Sequence, residues 1–365
     1  MEWQKFFEKV PDFRLDRRKL HKLSDILMLS LCAVVSGAED FVDMENYGKQ
    51  KEAFLRQFLE LPNGIPSHDT INRVYKWLDE QKFGESLYEW SRELLDFMDY
   101  YQLNIDGKVV RSTAEAGKKH SGICLVSAWA EKQRLVLGQR KVDSKSNEKT
   151  AIPALLDSLD LQGALVSIDA VACSEQIAHK ITGKGGDYLL ALKKNQKQLY
   201  EQVSEHMEKH KQDLQKDEWV DFSSGRIDKR TCYVLEKLDL VDDLAGWPSV
   251  KRLVMVEARR DKNGKVQEQT RFYLSSLAID AAGFNRAVRN HWGIENNLHW
   301  MLDVVFGEDQ SRTRKGNAVE NLATLRKTAL QVLQQANDKQ SIKSRRKIAA
   351  WNDSYLLQLL QNLRF

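Results

Sequence analysis

Two aspartates each follow an apolar run that ends in isoleucine. Asp106 comes directly after Leu103–Ile105, and Asp169 comes directly after Val166–Ile168. In open α/β sheets, ligands bind at the edge formed by the carboxyl ends of the strands. A lone aspartate after a strand is more often a turn former or helix cap. A pair at the ends of two similar strands predicts instead that both carboxylates point into one cleft.

A third acid lies in a segment with two histidines. His291, Glu295 and His299 are four residues apart, so on a helix they share one face, beside an apolar stripe of Ile294, Leu298 and Leu302. A zinc site is one interpretation of this row. The spacing lacks the HExxH pattern, because the histidines lie on either side of the acid. We therefore favour Glu295 as a single carboxylate ligand, with the histidines contacting phosphate or supporting the ligands.

Three carboxylates form a set of hard oxygen ligands. Asp106, Asp169 and Glu295 suit Mg²⁺ or Mn²⁺ better than zinc. Two such ions about 4 Å apart clamp the attacking and leaving oxygens of a phosphoryl transfer. We therefore expect a two-ion site that acts on phosphodiester bonds.

The elements around these residues predict a mixed α/β protein. Residues 1–100 have helical periodicity, including an apolar helix from Leu23 to Val34 capped by Ser24 and another that opens at Ser67. A strand then leads to Asp106. It is followed by a hairpin, a helix, a strand leading to Asp169, a helix, a strand at Tyr188–Leu192 and a polar helix. Strand-like runs return between residues 219 and 279, with a hairpin turn at Asn263-Gly264, and helices follow from Ala282.

Charge is distributed unevenly along the chain. Between Gln310 and Phe365, eleven Lys or Arg residues and three acids give a net charge of +8, which leaves −4 on residues 1–309. This asymmetry is typical of a protein that binds a polyanion, although a solvated basic helix would have the same composition. Four scattered cysteines predict buried thiols rather than a zinc finger or disulfides. No run is long enough to span a bilayer and no secretory signal is visible, so we expect a cytoplasmic protein.

The motifs in this order resemble a known family. They are Ile-Asp106-Gly-Lys, Ser-Ile-Asp169-Ala, Leu-Lys193-Lys194-Asn195-Gln, Ser-Gly-Arg226, and the block from His291-Trp292 to Asp309. Together they resemble the DDE insertion-sequence transposases, in particular the H-repeat-associated, RHS-linked group. The resemblance runs from Phe13 to about Leu333. It implies a ribonuclease-H-like mixed sheet with a β-rich insertion, and metal ligation by Asp106, Asp169 and Glu295.

The periodicity and charge of the chain, together with the core and insertion that the resemblance implies, predict a division into five parts. They are a helical DNA-binding or accessory region (1–100), the first part of the core (101–216), the β-rich insertion (217–280), the catalytic helix (281–309) and a basic helical region (310–365). The wider superfamily has a Tyr, Arg, Glu, Lys signature, but this chain has Val288, His291 and Leu302 at the Tyr, Arg and Lys positions. Asp303 and Glu308 therefore remain rivals of Glu295 for the third ligand. A helix places Asp303 about 12 Å beyond Glu295, so both cannot bind the same ions.

Basic and aromatic residues near these motifs are candidates for contacts with DNA. The candidates are Lys108, Arg111, Lys193, Lys194, Asn195, Arg226, His291, Trp292, His299, Arg312, Arg314 and Lys315. For each basic residue a solvated surface role is the alternative, and for Trp292 the alternative is core packing.

The sequence as a whole predicts a transposase that cuts the terminal inverted repeats of its element and joins the 3′ ends to target DNA. Handling two ends favours a homodimer on double-stranded DNA, bound at the bacterial nucleoid and with no membrane partner. Two alternatives stay open: a domesticated or inactive relative that only binds DNA, and a stand-alone metal-dependent nuclease.

Overall fold

The computed structural model of the chain describes residues 2–93, 95, 101–114, 122–142, 148–169, 172–223, 225–236, 238, 241 and 244–361. The predicted continuation of the N-terminal helices to Tyr100 therefore lies partly outside the described residues. No helix in these ranges combines the length and apolar character that crossing a lipid bilayer requires.

Nine strands form one mixed sheet in the order β3-β2-β1-β4-β5-β9-β8-β7-β6. β1 pairs in parallel with β4, and β4 pairs in parallel with β5, while all other neighbours are antiparallel. The strands are β1 Tyr101–Val110, β2 Ile123–Ala130, β3 Leu135–Lys141, β4 Ala164–Ile168, β5 Asp187–Leu192, β6 Gln215–Ser223, β7 Arg226–Leu235, β8 Arg252–Lys262 and β9 Lys265–Ser275. This mixed sheet with flanking helices confirms the predicted fold class.

Helices cover the sheet and continue at both ends of the chain. They are α1 Glu2–Glu8, α2 Leu23–Val35, α3 Phe41–Gln50, α4 Glu52–Leu55, α5 His68–Trp77, α6 Glu80–Glu93, α7 Glu148–Asp157, α8 Glu175–Gly183, α9 Lys197–His210, α10 Ala281–His291, α11 Trp300–Val304, α12 Ala318–Gln334, α13 Ile342–Trp351 and α14 Asp353–Gln361. A π-helical turn, Ile294–His299, joins α10 to α11.

Local sequence signals explain several element boundaries. The Ser67 side chain accepts a hydrogen bond from the Thr70 backbone N–H and so caps α5, as predicted. The predicted cap at Ser24 is wrong, because α2 already begins at Leu23 and Lys22 precedes it without a side-chain cap. Asn263 and Gly264 both have positive φ angles, of 54° and 77°, which a tight hairpin turn between β8 and β9 requires.

Four strands extend the sheet far beyond its parallel centre. β9 pairs with β5 only from Phe272 to Ser275. The other residues of β9, Lys265–Arg271, pair with β8 and not with β5. Together with the paired strands β8, β7 and β6, this part of β9 extends past the end of β5. Seven residues of antiparallel strand span about 24 Å. We call this projecting part, residues 217–223, 225–232 and 256–271, the β-arm. Its first strand, β6, was not predicted, because charged residues interrupt the apolar alternation of Gln215–Ser223.

The basic C-terminal region is not a separate solvated helix. α12 is buried from Ala318 to Leu333 and packs against α2, α5, α6 and β3. Four cations of the region 310–365 are buried: Arg326, Lys327, Arg345 and Arg346. Arg346 donates hydrogen bonds to the carbonyls of Val34 in α2 and of Ala38 in the connection between α2 and α3. The charge excess between residues 310 and 365 therefore partly serves internal packing, so the net charge of +8 overstates the positive surface of this region.

Candidate active site

The two aspartates lie side by side where the parallel pairing of β1 and β4 ends. Ile105 pairs with Ile168, so Asp106 and Asp169 occupy the next register position. Residues at one register position of parallel strands point to the same face of the sheet. Asp106 differs from the prediction in one respect: β1 continues to Val110 through its pairing with β2, so Asp106 lies within a strand rather than after it.

Glu295 lies in the π-helical turn, which places one extra residue in the helix that faces this sheet edge. Such turns are rare and occur often at functional sites. Two contacts fix it to the β2–β3 turn: the Asn297 side chain donates a hydrogen bond of 2.9 Å to Glu131, and Gly293 lies so close that a Cβ atom would stand 2.1 Å from the Glu131 carboxylate. Helical periodicity alone does not reveal this turn.

Asp106, Glu295 and His299 bring one potential ligand atom each within 4.8 Å of one another. The Nδ1 atom of His299 lies 3.6 Å from an Asp106 oxygen and 3.5 Å from a Glu295 oxygen. Hydrogen bonding to His299 lowers the pKa of Glu295, so this carboxyl group is ionised at neutral pH. Only about 6% of the His299 side chain is exposed. It therefore supports the two carboxylates, and the prediction that it contacts DNA directly is corrected.

Asp169 is not in that group of three, and it faces a lysine. The Nζ atom of Lys193 lies 3.2 and 3.3 Å from the two Asp169 oxygens. Lys193 follows β5, the next strand along, and its side chain is 56% exposed. Lys193, Lys194 and Asn195 thus lie at the same sheet edge as the aspartates, in exposed positions.

A row of polar side chains on β1 connects the sheet to the Glu295 helix. Successive residues on one face of this strand are Gln102, Asn104, Asp106 and Lys108. Gln102 donates to the Ala287 carbonyl at 2.8 Å, and Asn104 donates to the Asn290 carbonyl at 2.7 Å. The Asp106 carboxylate lies 3.6 Å from the His299 ring, and the Lys108 ammonium group lies 2.7 Å from the Asp303 carboxylate. We call these four residues the β1 ladder; it holds Asp106 and Glu295 in register. The alternation Gln-x-Asn-x-Asp-x-Lys was visible in the sequence, but nothing in it indicated a helix as the partner.

His291 and Ser167 connect the β1 ladder to the neighbouring strand β4. The Ser167 hydroxyl donates to Asn104 at 2.6 Å, so its oxygen accepts from the His291 Nδ1–H at 2.9 Å. Burial lowers the pKa of His291 to about 4, so the ring is neutral at pH 7. The Trp292 ring beside it stacks against the Arg271 guanidinium at 4.2 Å.

Lys108 is buried and bound to three carboxylates. Its Nζ atom lies 2.7 Å from Asp303, 2.9 Å from Glu308 and 3.5 Å from Asp309. A buried ammonium group with three partners cannot reach a DNA phosphate, which corrects that prediction. The same contacts engage Asp303 and Glu308, the two rivals of Glu295, whereas Asp106 lies with Glu295 and His299. Sequence reasoning missed this ion-pair network because Lys108 lies about 200 residues before its partners in the sequence.

The remaining basic candidates divide into two groups. Arg111, Arg312, Arg314 and Lys315 are exposed just beyond the Lys108 network, where the backbone N–H of Arg111 donates to Asp309. Arg226 lies instead at the tip of the β-arm, where it pairs with Asp228 at 2.7 Å. The structure therefore does not bring Arg226 next to the carboxylates.

Comparison with known proteins agrees with this geometry. Residues 98–332 match the family described as "Transposase DDE domain", and residues 4–91 match the one described as "DDE_Tnp_1-associated". The chain is 38% identical to "H repeat-associated putative transposase YhhI" of Escherichia coli (strain K12), over 99% of this chain and 98% of that protein. It is 43% identical to "Uncharacterized protein in dhlA 3'region" of Xanthobacter autotrophicus, over 75% of this chain and 94% of that protein. It is also 49% identical, over 20% of this chain and 92% of that protein, to "Inactive transposase YbfQ" of Escherichia coli (strain K12).

The match to the transposase DDE domain covers the whole sheet, the β-arm, the π-helical turn and most of α12. Residues 1–3, 92–97 and 333–365 lie outside the two family matches. Transposase domains of this family have a ribonuclease-H-like fold, as the mixed sheet described above does. The chain belongs to the transposase DDE domain family.

Proposed function

We propose that this transposase cleaves the ends of its own DNA element and joins the freed 3′ ends to target DNA by metal-dependent phosphoryl transfer. The observation that carries the proposal is the convergence of Asp106 and Glu295 on one sheet edge, with Asp169 on the neighbouring strand at the same register position as Asp106. Because the two ends of the element must be handled together, we further propose that a homodimer acts on the DNA.

The donor atoms at this edge suit Mg²⁺ or Mn²⁺. Carboxylate oxygens from Asp106, Asp169 and Glu295 are hard ligands, and the His299 nitrogen lies within reach of the same point. When bound, such ions lower the pKa of a water or a 3′-hydroxyl and stabilise the departing oxygen. The half-exposed Glu295 and Asp169 leave the edge open to a DNA strand.

The surrounding residues have supporting roles in this proposal. His299 keeps Asp106 and Glu295 facing each other, and the β1 ladder holds the strand against the helix. Lys193 balances the charge of Asp169 and is exposed enough to turn towards a phosphate group. Lys194 and Arg111 extend the positive surface along the same edge, and the exposed Asn195 side chain adds a neutral hydrogen-bonding group.

The first experiment uses the DNA that flanks this gene as the substrate. The purified protein is incubated with it in Mg²⁺ or Mn²⁺, with EDTA as a control, and new 3′ ends are mapped. We expect nicks at the inverted-repeat boundary that Asp169→Asn and Glu295→Gln abolish. Asp303→Asn is the matched control, because Asp303 lies on the same helix but binds Lys108. If Asp303→Asn abolishes cleavage and Glu295→Gln does not, the assignment of the third ligand is wrong.

The outcomes also separate the alternatives. Binding to the flanking ends without cleavage in either metal would indicate a relative that only binds DNA. Cleavage without preference for the ends, and without joining, would indicate a stand-alone nuclease. Mn²⁺ binding followed by electron paramagnetic resonance gives a readout independent of DNA: Asp106→Asn should weaken it, and unchanged binding would argue against metal ligation at this site.

A further inference from the structure

The β-arm has two faces of opposite charge. Because side chains alternate along each strand, the pairing register assigns every residue to one face. The first face carries six cations and three acids, a net charge of +3; its cations are Arg226, Arg230, Arg260, Lys262, Lys265 and Arg271, and its acids are Asp217, Asp221 and Asp228. The second face carries two cations and four acids, a net charge of −2; these are Lys229, Arg259, Glu218, Glu257, Asp261 and Glu268.

The basic face is the one that adjoins the active site. At the base of the arm its apolar residues, such as Val254 and Val256, pack against Phe284 and Val288 of α10. α10 leads directly into the Glu295 turn. Asp106 and Asp169 point to this same side of the sheet, because Ser167, Leu189 and Ser275 are register neighbours across it. A ligand lying along the basic face would therefore arrive at the carboxylates.

The cations on the basic face are held in place without being fully neutralised. The Trp219 ring contacts two guanidinium groups, that of Arg230 at 4.5 Å and that of Arg289 of α10 at 4.4 Å. Two like charges against one ring repel each other, and an anion between or above them would relieve that repulsion. Asp228 is shared by Arg226 and Arg260, at 2.7 and 2.9 Å. On the opposite face each cation has its own acid: Lys229 pairs with Glu218 at 3.1 Å, and Arg259 pairs with Glu268 at 3.6 Å.

We propose that the basic face of the β-arm binds the phosphate backbone of the DNA duplex whose end lies in the Asp106–Glu295 site. An arm of about 24 Å matches about seven base pairs at 3.4 Å each. Backbone contacts of this kind position a duplex without reading its sequence. The acidic face, with Val220, Phe222, Ile227 and Val266 exposed on it, stays off the DNA. This inference rests on the proposed function.

Two adjacent arginines on β8 provide a matched test. Arg260 lies on the basic face and Arg259 lies on the acidic face, with side chains 55% and 58% exposed, and each makes one salt bridge. Arg260→Gln and Arg259→Gln therefore remove the same charge and one ion pair each. Binding of full-length protein to a duplex that carries the gene's flanking sequence is measured by fluorescence anisotropy over a series of salt concentrations.

We expect Arg260→Gln to weaken binding about threefold or more and to reduce the slope of log K against log salt by about 0.9, the effect of one lost phosphate contact. Arg259→Gln should leave both quantities unchanged. Equal losses in both variants, or no loss in Arg260→Gln, would overturn the proposal. Adding Arg230→Gln and Lys262→Gln should lower the slope further, which separates a contact surface from a single residue.

The result is independent of the cleavage test. Face-selective binding without metal-dependent nicking would leave the arm assignment intact and refute the proposed catalysis. Nicking at the element ends, with no difference in DNA binding between Arg260→Gln and Arg259→Gln, would support the proposed catalysis and refute the arm assignment.

Discussion

Replacing Lys108 with methionine removes the cation at the centre of a buried acidic cluster. Methionine has a similar length, so packing changes little. Glu308, which is 1% exposed, would lose the ammonium group that lies 2.9 Å away and that lowers its pKa. Its nearest other cation, Arg326, lies 4.0 Å away.

Breaking a buried ion pair from one side costs about 3–5 kcal/mol of the free energy of unfolding. Because Arg326 partly compensates and Asp303 is partly exposed, we expect a value near the lower end, about 3 kcal/mol. Lys193→Met is the control: its pair with Asp169 is 56% and 40% exposed, and pairs of this kind contribute about 0–1 kcal/mol.

The assay is chemical denaturation followed by circular dichroism, at several pH values. In the wild type the lowered pKa of Glu308 contributes stability above the unfolded pKa, which is lost as the pH falls through the lower, folded value. In Lys108→Met the carboxyl group is buried without its partner, so its folded pKa rises and protonation relieves the penalty. The difference between the two proteins should therefore shrink as the pH falls from 7 towards 5. A loss below 1 kcal/mol, or a difference that grows on acidification, would refute the reasoning.

Two further predictions concern a glycine and a histidine. At Gly316, φ is +60° and an added Cβ atom would stand 2.5 Å from the Lys76 carbonyl oxygen, so Gly316→Ala should lower the free energy of unfolding by about 2 kcal/mol or more. Gly225 has a φ of +70° with open space around it, so Gly225→Ala should lower the free energy of unfolding by only about 1 kcal/mol. Equal losses of the two variants in thermal unfolding would contradict this. The pKa of His291, lowered to about 4 by burial, means that stability should fall as the pH drops from 6.5 to 4, because the unfolded ring takes up a proton first. An NMR titration of the ring with a midpoint near 6.5 would show that folding does not lower the pKa of His291.

Much of the fold was predictable because it depends on local patterns. Residues 164–168 are continuously apolar apart from Ser167 and form a strand with all five side chains buried, as expected. The turn at Asn263-Gly264 and the cap at Ser67 follow from backbone chemistry that involves only a few residues. The family and the approximate position of the carboxylates could likewise be read from short motifs.

The parts that were not predictable depend on long-range contacts. The buried state of Lys108 follows from partners near residue 308, and that of Arg326 and Lys327 follows from the way α12 passes between the N-terminal helices and the sheet. Composition counts such residues as surface charge. The π-helical turn was not predicted, because one added residue hardly disturbs the helical periodicity of the sequence. That residue nevertheless decides which way Glu295 points.

The β1 ladder has a consequence for changes in chain length. From Gln102 to Lys108 an extended strand rises about 20 Å, and the helical segment from Ala287 to Asp303 rises about 24 Å, so the two run side by side over matching lengths. Inserting or deleting one residue in β1 would move every later residue of the β1 ladder to the opposite face of the sheet. Removing one residue from the π-helical turn would rotate all that follows by about 100°. Natural length variation in this family should therefore accumulate in the loops and at the tip of the β-arm, while these two segments keep a constant number of residues.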